Sequence, residues 1–162
     1  MAKDQASDAT TGCWIGLAHR YRAALLAHRD GARVVAGTYV SAPNSRAGGG
    51  AVVAVFCAAG VPVERAGWAA FVGQCYVLGH TIEEQALQEI TARGEDWPTR
   101  EAEAEFEEPL VAAALGSVMA ANPPDRFEYG LELFLGGIRE RSAAAGAAVV
   151  AAGEAAASSE VD

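Results

Sequence analysis

Cysteine is scarce in this chain, with Cys13, Cys57 and Cys75 the only thiols among 162 residues. Three thiols give no disulfide framework, and each lies among apolar neighbours, so they are expected to be buried in a reducing compartment. Basic residues are also few. Twelve face 21 acids for a formal charge of −9, which argues against the chain neutralising a run of phosphates, so nucleic acid is not its expected partner. No apolar run reaches the roughly 18–20 residues of a membrane span. The polar stretch Met1–Thr11 lacks the apolar core of a secretory signal. Zinc-type spacings (C-x-x-C, H-E-x-x-H) are missing, and Gly48-Gly49-Gly50 has neither the strand nor the lysine of a phosphate-binding loop, so it reads as a hinge. What remains is a composition that is 51% apolar, enough for one soluble, cytoplasmic domain with its own core. No enzyme is expected. Cys75 reads as a packing residue, and His80 with Glu83 and Glu84 as a solvated or dimer-facing polar stripe, since neither has a visible activating partner.

The apolar pattern is helical throughout. Period-two alternation never persists, so the fold class is all-α. A first amphipathic helix runs from Cys13 to His28, with Trp14, Leu17, Ala18, Tyr21, Leu25 and Leu26 inward and His19, Arg20, Arg22 and Arg29 on its polar face. Asp30 is placed to cap a short helix through Ala36. Thr38 to Gly50 reads as a loop, and Ala51 to Ala59 as a short apolar helix. After Pro62, the longest pattern spans Val63 to Ile90, in which Trp68, Phe71, Val72, Cys75, Leu78, Gly79 and Ile82 keep helical spacing. Between Gly94 and Pro109 seven acids and one arginine make a stretch of net −6, leaving −3 for everything else. It reads as a loop with a frayed turn from Arg100 to Phe106. Leu110 to Ala121 and Arg126 to Ala143 complete the helices. The expected organisation is a disordered remnant at 1–12, the domain at 13–143 and a disordered alanine-rich tail at 144–162.

The last helix carries Gly130, Gly136 and Gly137, each costing about 1 kcal/mol against alanine. A helix that keeps three interior glycines is expected to let another backbone approach closely, here that of a second subunit. The residues expected at that interface are Phe127, Gly130, Leu131, Phe134, Leu135 and Ile138.

Three motifs then come together: H-R-D-G-A-R-V (His28 to Val34) followed by Gly37-Thr38, L-G-x-x-x-E-E-Q (Leu78 to Gln85), and F-x-x-G-L-E-L (Phe127 to Leu133). In this order and separation, from about Trp14 to Arg141, the chain resembles the C-terminal domain of the tetracycline repressor (TetR) family. The resemblance implies an all-helical domain that binds an effector and forms a homodimer through a four-helix bundle. The dimer helices would be Val63 to Ile90 and Arg126 to Ala143. It also implies the function of a transcriptional repressor released from DNA by its ligand. Where tetracycline-responsive members have two histidines and an arginine, this chain has Val35, Cys75 and Tyr39. Only Glu83 matches the acidic residue that contacts their hydrated magnesium. One carboxylate alone makes a poor magnesium site, so no metal or other cofactor is expected. The effector pocket is instead expected to be apolar and aromatic, lined by Val35, Tyr39, Val52, Phe71, Gln74 and Cys75 with Glu83 nearby, and suited to a small hydrophobic or aromatic effector. The family's helix-turn-helix of roughly 50 residues has no counterpart in Met1 to Gly12, so contact with DNA would need a part this sequence lacks. The alternative reading is a DNA-free module that forms mixed dimers with full-length relatives.

Overall fold

The computed structural model describes residues 2–39, 41–95 and 108–159, and all of its regular structure there is helical. Among the described residues six helices follow one another: α1 (Ala2–Leu26), α2 (Gly31–Val35), α3 (Pro43–Ala58), α4 (Val63–Ala92), α5 (Pro109–Ala120) and α6 (Pro123–Ser159). The long acidic stretch lies, apart from Glu95 and Glu108, outside the described residues.

Several boundaries depart from the sequence reading, each for a local reason. Helix α1 begins at Ala2 and α6 continues to Ser159, where disorder was expected at 1–12 and in the tail; alanine is the strongest helix former and carries the helix through both stretches. Helix α3 starts at Pro43, whose fixed φ suits the first helical position, so the glycine triplet lies within a helix and not in a hinge. Asp30 does occupy the N-cap of α2, but at φ 56° and without a capping bond. Its carboxylate instead accepts from Arg33 Nη1 at 3.0 Å, and with Glu89 it raises the Arg33 pKa above its ordinary value.

The start of α6 follows the expected logic. Asn122 Oδ1 accepts from the Asp125 amide at 2.9 Å, satisfying one of the helix's free donors. Arg126 Nη1 donates to the carbonyls of Val118 (2.7 Å) and Ala121 (2.6 Å), which places a cation on the negative end of α5.

The chain divides into two compact units. Unit 1 takes the first part of α1 to Leu17, α3, α4 as far as Gly73, and α6 from Glu132 onward. Its core is Trp14, Phe56, Val61, Ala66, Ala69 and Leu135. Unit 2 takes the rest of α1, α2, α4 from Gln74, α5 and the start of α6. It buries Ala18, Leu25, Ala32, Val77, Thr81, Phe127 and Leu131, together with the polar Glu84 and Gln85.

Candidate functional site

In unit 1, three rings meet around Trp14. Its centroid lies 5.3 Å from Phe56 and 6.1 Å from Phe134, tilted by 47° and 54°, while Phe56 and Phe134 meet edge-on at 5.9 Å. These are the offset and edge-to-face geometries that aromatic quadrupoles favour. Gly73 makes the arrangement possible, because a Cβ there would collide with the six-membered ring of Trp14. The Trp14 Nε1 donor is buried and has no hydrogen-bond partner.

In unit 2, the polar residues of α4 are structural. Glu84 takes a bidentate pair from Arg22, at 2.8 Å from Nε and 2.6 Å from Nη2, with both side chains largely buried. The guanidinium also lies 5.1 Å from the Phe127 centroid, and Phe127 is further enclosed by His19, Tyr76 and His80. Gln85 uses its whole amide: Nε2 donates to the carbonyls of Leu25 (3.2 Å) and His28 (2.9 Å), and Oε1 accepts from the Ala32 amide (3.2 Å). It therefore clamps the end of α1 and the start of α2 to α4. The structural roles of Arg22 and Gln85 are not legible in the sequence, because each depends on a partner more than fifty residues away.

The expected polar stripe of His80, Glu83 and Glu84 thus splits. Glu83 faces outward, and His80 and Glu84 are inside. His80 Nδ1 is buried without a hydrogen-bond partner, 3.9 Å from Glu84 Oε2. Burial holds its pKa below the ordinary 6.5, against the attraction of Glu84, with Arg22 and Arg126 acting in the same direction as burial and a hydrogen bond to the Pro123 backbone opposing it. A base whose folded pKa is lowered binds more protons unfolded than folded, so stability falls as pH drops below about 6.5 and recovers above it. Thermal unfolding at pH 5.5 and 7.5 is expected to show that loss in the wild type and a smaller one in His80→Asn. Equal losses would exclude His80 as the source.

Val35, Tyr39, Gln74, Cys75 and Glu83 belong to unit 2, and Val52 and Phe71 to unit 1. All but the half-buried Val52 are exposed, Tyr39 at 89% and Phe71 at 57%. The unit-2 set includes one side-chain pairing, Gln74 with the Tyr21 hydroxyl, whose pKa burial raises. Among the described residues no three of His, Cys, Asp and Glu gather as a metal-binding group. The three cysteines are exposed, not buried.

Two corrections concern the expected dimer helices. On α4 the buried face is the small-residue one, Ala66, Ala69, Gly73, Val77 and Thr81. Trp68, Phe71, Val72, Cys75 and Gly79, which carry the helical spacing in the sequence, are exposed. On α6, Phe127, Leu131 and Leu135 are at most 4% exposed, so they already fill the single chain and have no area left to offer a partner. Phe134 belongs to the ring cluster. The close approach at Gly130 is made by Tyr76 of the same chain, whose ring fills the space a Cβ would take and whose hydroxyl donates to the Phe127 carbonyl at 2.8 Å. Ile138, Gly136 and Gly137 are half-buried, and the two glycines have open space beside them. The large apolar residues α6 leaves exposed are Tyr129 and Leu133.

Residues 11–142 match the model of the tetracyclin repressor-like C-terminal domain. The chain belongs to that family. It is 34% identical over 126 residues to the class C tetracycline repressor protein of Escherichia coli, covering 77% of this chain and 56% of that protein. To the class A tetracycline repressor protein from transposon 1721, also of Escherichia coli, it is 36% identical over 127 residues, covering 78% and 56%. The chain therefore spans about half the length of these tetracycline repressors. Among solved structures it is similar to a possible TetR family transcriptional regulator from Streptomyces coelicolor A3(2), at 36% identity and a TM-score of 0.68 over 85% of this chain and 72% of that one. Apo ActR from Streptomyces coelicolor, at 21% identity and a TM-score of 0.65 over 77% and 60%, shares the fold. No single helix among the described residues is long and apolar enough to cross a membrane.

Proposed function

We propose that this chain is the effector-binding and dimerisation domain of a cytoplasmic TetR-family repressor, pairing with a second copy and releasing DNA, through a helix-turn-helix supplied outside this sequence, when a small hydrophobic or aromatic effector binds. The observation that carries the reading is the uncovered face of α4. Trp68 is 66% exposed, Phe71 57% and Val72 53%, at positions i, i+3 and i+4 of one helix. A contiguous apolar stripe of this size is covered by a partner in a soluble protein. In the same unit Leu133 of α6 is 60% exposed, and it takes the place of the residues first expected at the interface. Effector binding is carried to this chain by family membership. Val35 and Cys75 in place of imidazoles favour a ligand that does not arrive bound to magnesium.

Sedimentation of the wild-type chain is expected to give a dimer. Leu133→Arg and, separately, Trp68→Glu are expected to give folded monomers with unchanged helical circular dichroism, since both positions are exposed in the single chain. Dimers that persist in both variants would take this face out of the interface. For the effector, unfolding against a panel of planar hydrophobic compounds and tetracycline, with and without magnesium, reads binding as a rise in Tm. A magnesium-independent rise with an aromatic compound, reduced more by Phe71→Ala than by Glu83→Gln, is the expected result. A rise only with tetracycline plus magnesium would overturn the ligand class.

A further inference from the structure

His80 sits inside unit 2 in a defined tautomer. Its hydrogen bond to the Pro123 backbone is made to the carbonyl, because proline has no N–H to give, and Nδ1 is unbonded among the described residues, so the donor is Nε2. A neutral imidazole with its proton on Nε2 carries a lone pair on Nδ1. That nitrogen lies 3.9 Å from Glu84 Oε2. The same oxygen already accepts from Arg22 Nε at 2.8 Å, while Oε1 accepts from Arg22 Nη2 at 2.6 Å. One carboxylate therefore stands between a guanidinium of α1 that holds it and a base of α4 that can bond it only after gaining a proton.

We infer that His80 is a proton-operated switch on the contact between α1 and α4: protonated at Nδ1, it donates to Glu84 Oε2 and releases the Arg22 guanidinium from its bidentate pair. One proton moves from solvent to Nδ1, and no covalent bond breaks. Both cations cannot remain on the carboxylate. The side chains of His80, Arg22 and Glu84 are only 13%, 14% and 7% exposed, and like charges shielded from water repel strongly. His80 is the one that stays, because Pro123 holds its far nitrogen, the rings of Phe127 (5.1 Å) and Tyr76 (6.1 Å) flank it, and Glu84 is one turn along its own helix. Arg22 reaches in from another helix on a long stem, so it is the one that yields. The other charged and titratable groups around the cluster are already engaged. Arg126 of α6 is bound to the carbonyls of Val118 and Ala121, and across Phe127 the His19 ring meets Glu128 at 2.8 Å. The Tyr76 hydroxyl donates to the Phe127 carbonyl and stays neutral, its pKa raised by burial and then by Glu128. Gln85 does not titrate, so its clamp keeps the end of α1 on α4 while the Arg22 tie opens. The domain thereby gains a second input, a proton, whichever effector it takes.

The test is an NMR titration of the full chain from about pH 7.5 to about pH 5, a window that reaches below the ordinary imidazole value because burial lowers that of His80. Two signals are followed, the ring resonances of His80 and the Nε–H of Arg22, each assigned through bonds. They are expected to change with one shared midpoint below 6.5. Over that step the Arg22 Nε–H is expected to exchange with water more than about tenfold faster, after correction for the intrinsic pH dependence of exchange, because a charge-assisted hydrogen bond no longer protects it. Helical circular dichroism is expected to hold steady across the same step. In His80→Asn, and in His80→Gln should asparagine fail to support the fold, the Arg22 signal is expected to lose its midpoint; the coincidence in the wild type needs no variant at all. A His80 ring that titrates while Arg22 stays protected would mean that the carboxylate keeps both cations, and the switch fails. It fails equally if His80 stays neutral until the chain unfolds, or if helix is lost at the same midpoint, since protonation would then break the fold without switching it. Release of Arg22 that persists in the His80 variants would assign the titration to another group.

Discussion

Alanine at position 127 is expected to lower the stability of the fold by about 3–5 kcal/mol, the range for deleting a large buried aromatic side chain. Phe127 is fully buried and holds four groups at once. Tyr76 stacks on it at 5.6 Å, His80 and His19 meet it edge-on at 5.1 and 5.4 Å, and the Arg22 guanidinium sits 5.1 Å from its centroid. Removing the ring opens a cavity that none of these neighbours can collapse into without breaking a bond of its own. The Tyr76 hydroxyl is tied to the backbone of α6, and Arg22 is tied to Glu84. At this chain length the expected fall in Tm is roughly 6–20 °C. Urea unfolding at fixed protein concentration, so that dimerisation does not confound the comparison, gives the free energy directly. A loss under about 1 kcal/mol would show that Phe127 is not the centre of unit 2.

Helix identity and fold class were legible in the sequence, because 3.6-residue periodicity and the Asn122–Asp125 stop survive whatever the helices pack against. The orientation of α4 was not. Sequence hydrophobicity assigns the core to the largest apolar residues, and along α4 those are Trp68, Phe71 and Val72. The helix instead turns Ala66, Ala69 and Gly73 inward, and at Gly73 the group packed against it is the bulky ring of Trp14, which leaves no room for a Cβ. Gly130 is the mirror image of this case. A glycine signals a close approach but does not say by whom, and at Gly130 the approaching group is Tyr76 of the same chain. Of the polar residues, Glu84 and Gln85 were visible as part of a family motif. Their partners Arg22, Leu25, His28 and Ala32 lie 53 to 62 positions away, so a solvated stripe and a buried clamp look alike until the chain is folded. The expected ligand residues show the limit on the functional side, since resemblance locates positions and leaves open what faces them.

The Arg22–Glu84 pair supplies the second large effect. Glu84→Leu is expected to cost about 3–5 kcal/mol, because it strands a guanidinium whose side chain is only 14% exposed. Arg22→Leu/Glu84→Leu removes both charges together and leaves no uncompensated ion. It is expected to recover a large part of that loss, since well-packed apolar replacements of a buried pair are often close to neutral. The contrast separates two reasons for keeping the pair. If the double variant is nearly as stable as the wild type, the ion pair serves to fix how α1 lies against α4, and its removal is expected to show as weakened dimerisation or effector binding and not as unfolding. If the double variant is as unstable as Glu84→Leu, the attraction between the charges stabilises unit 2 outright. Phe127 would then owe part of its own effect to Arg22, and a cycle combining Phe127→Ala with Arg22→Leu would return a coupling of about 0.5–3 kcal/mol.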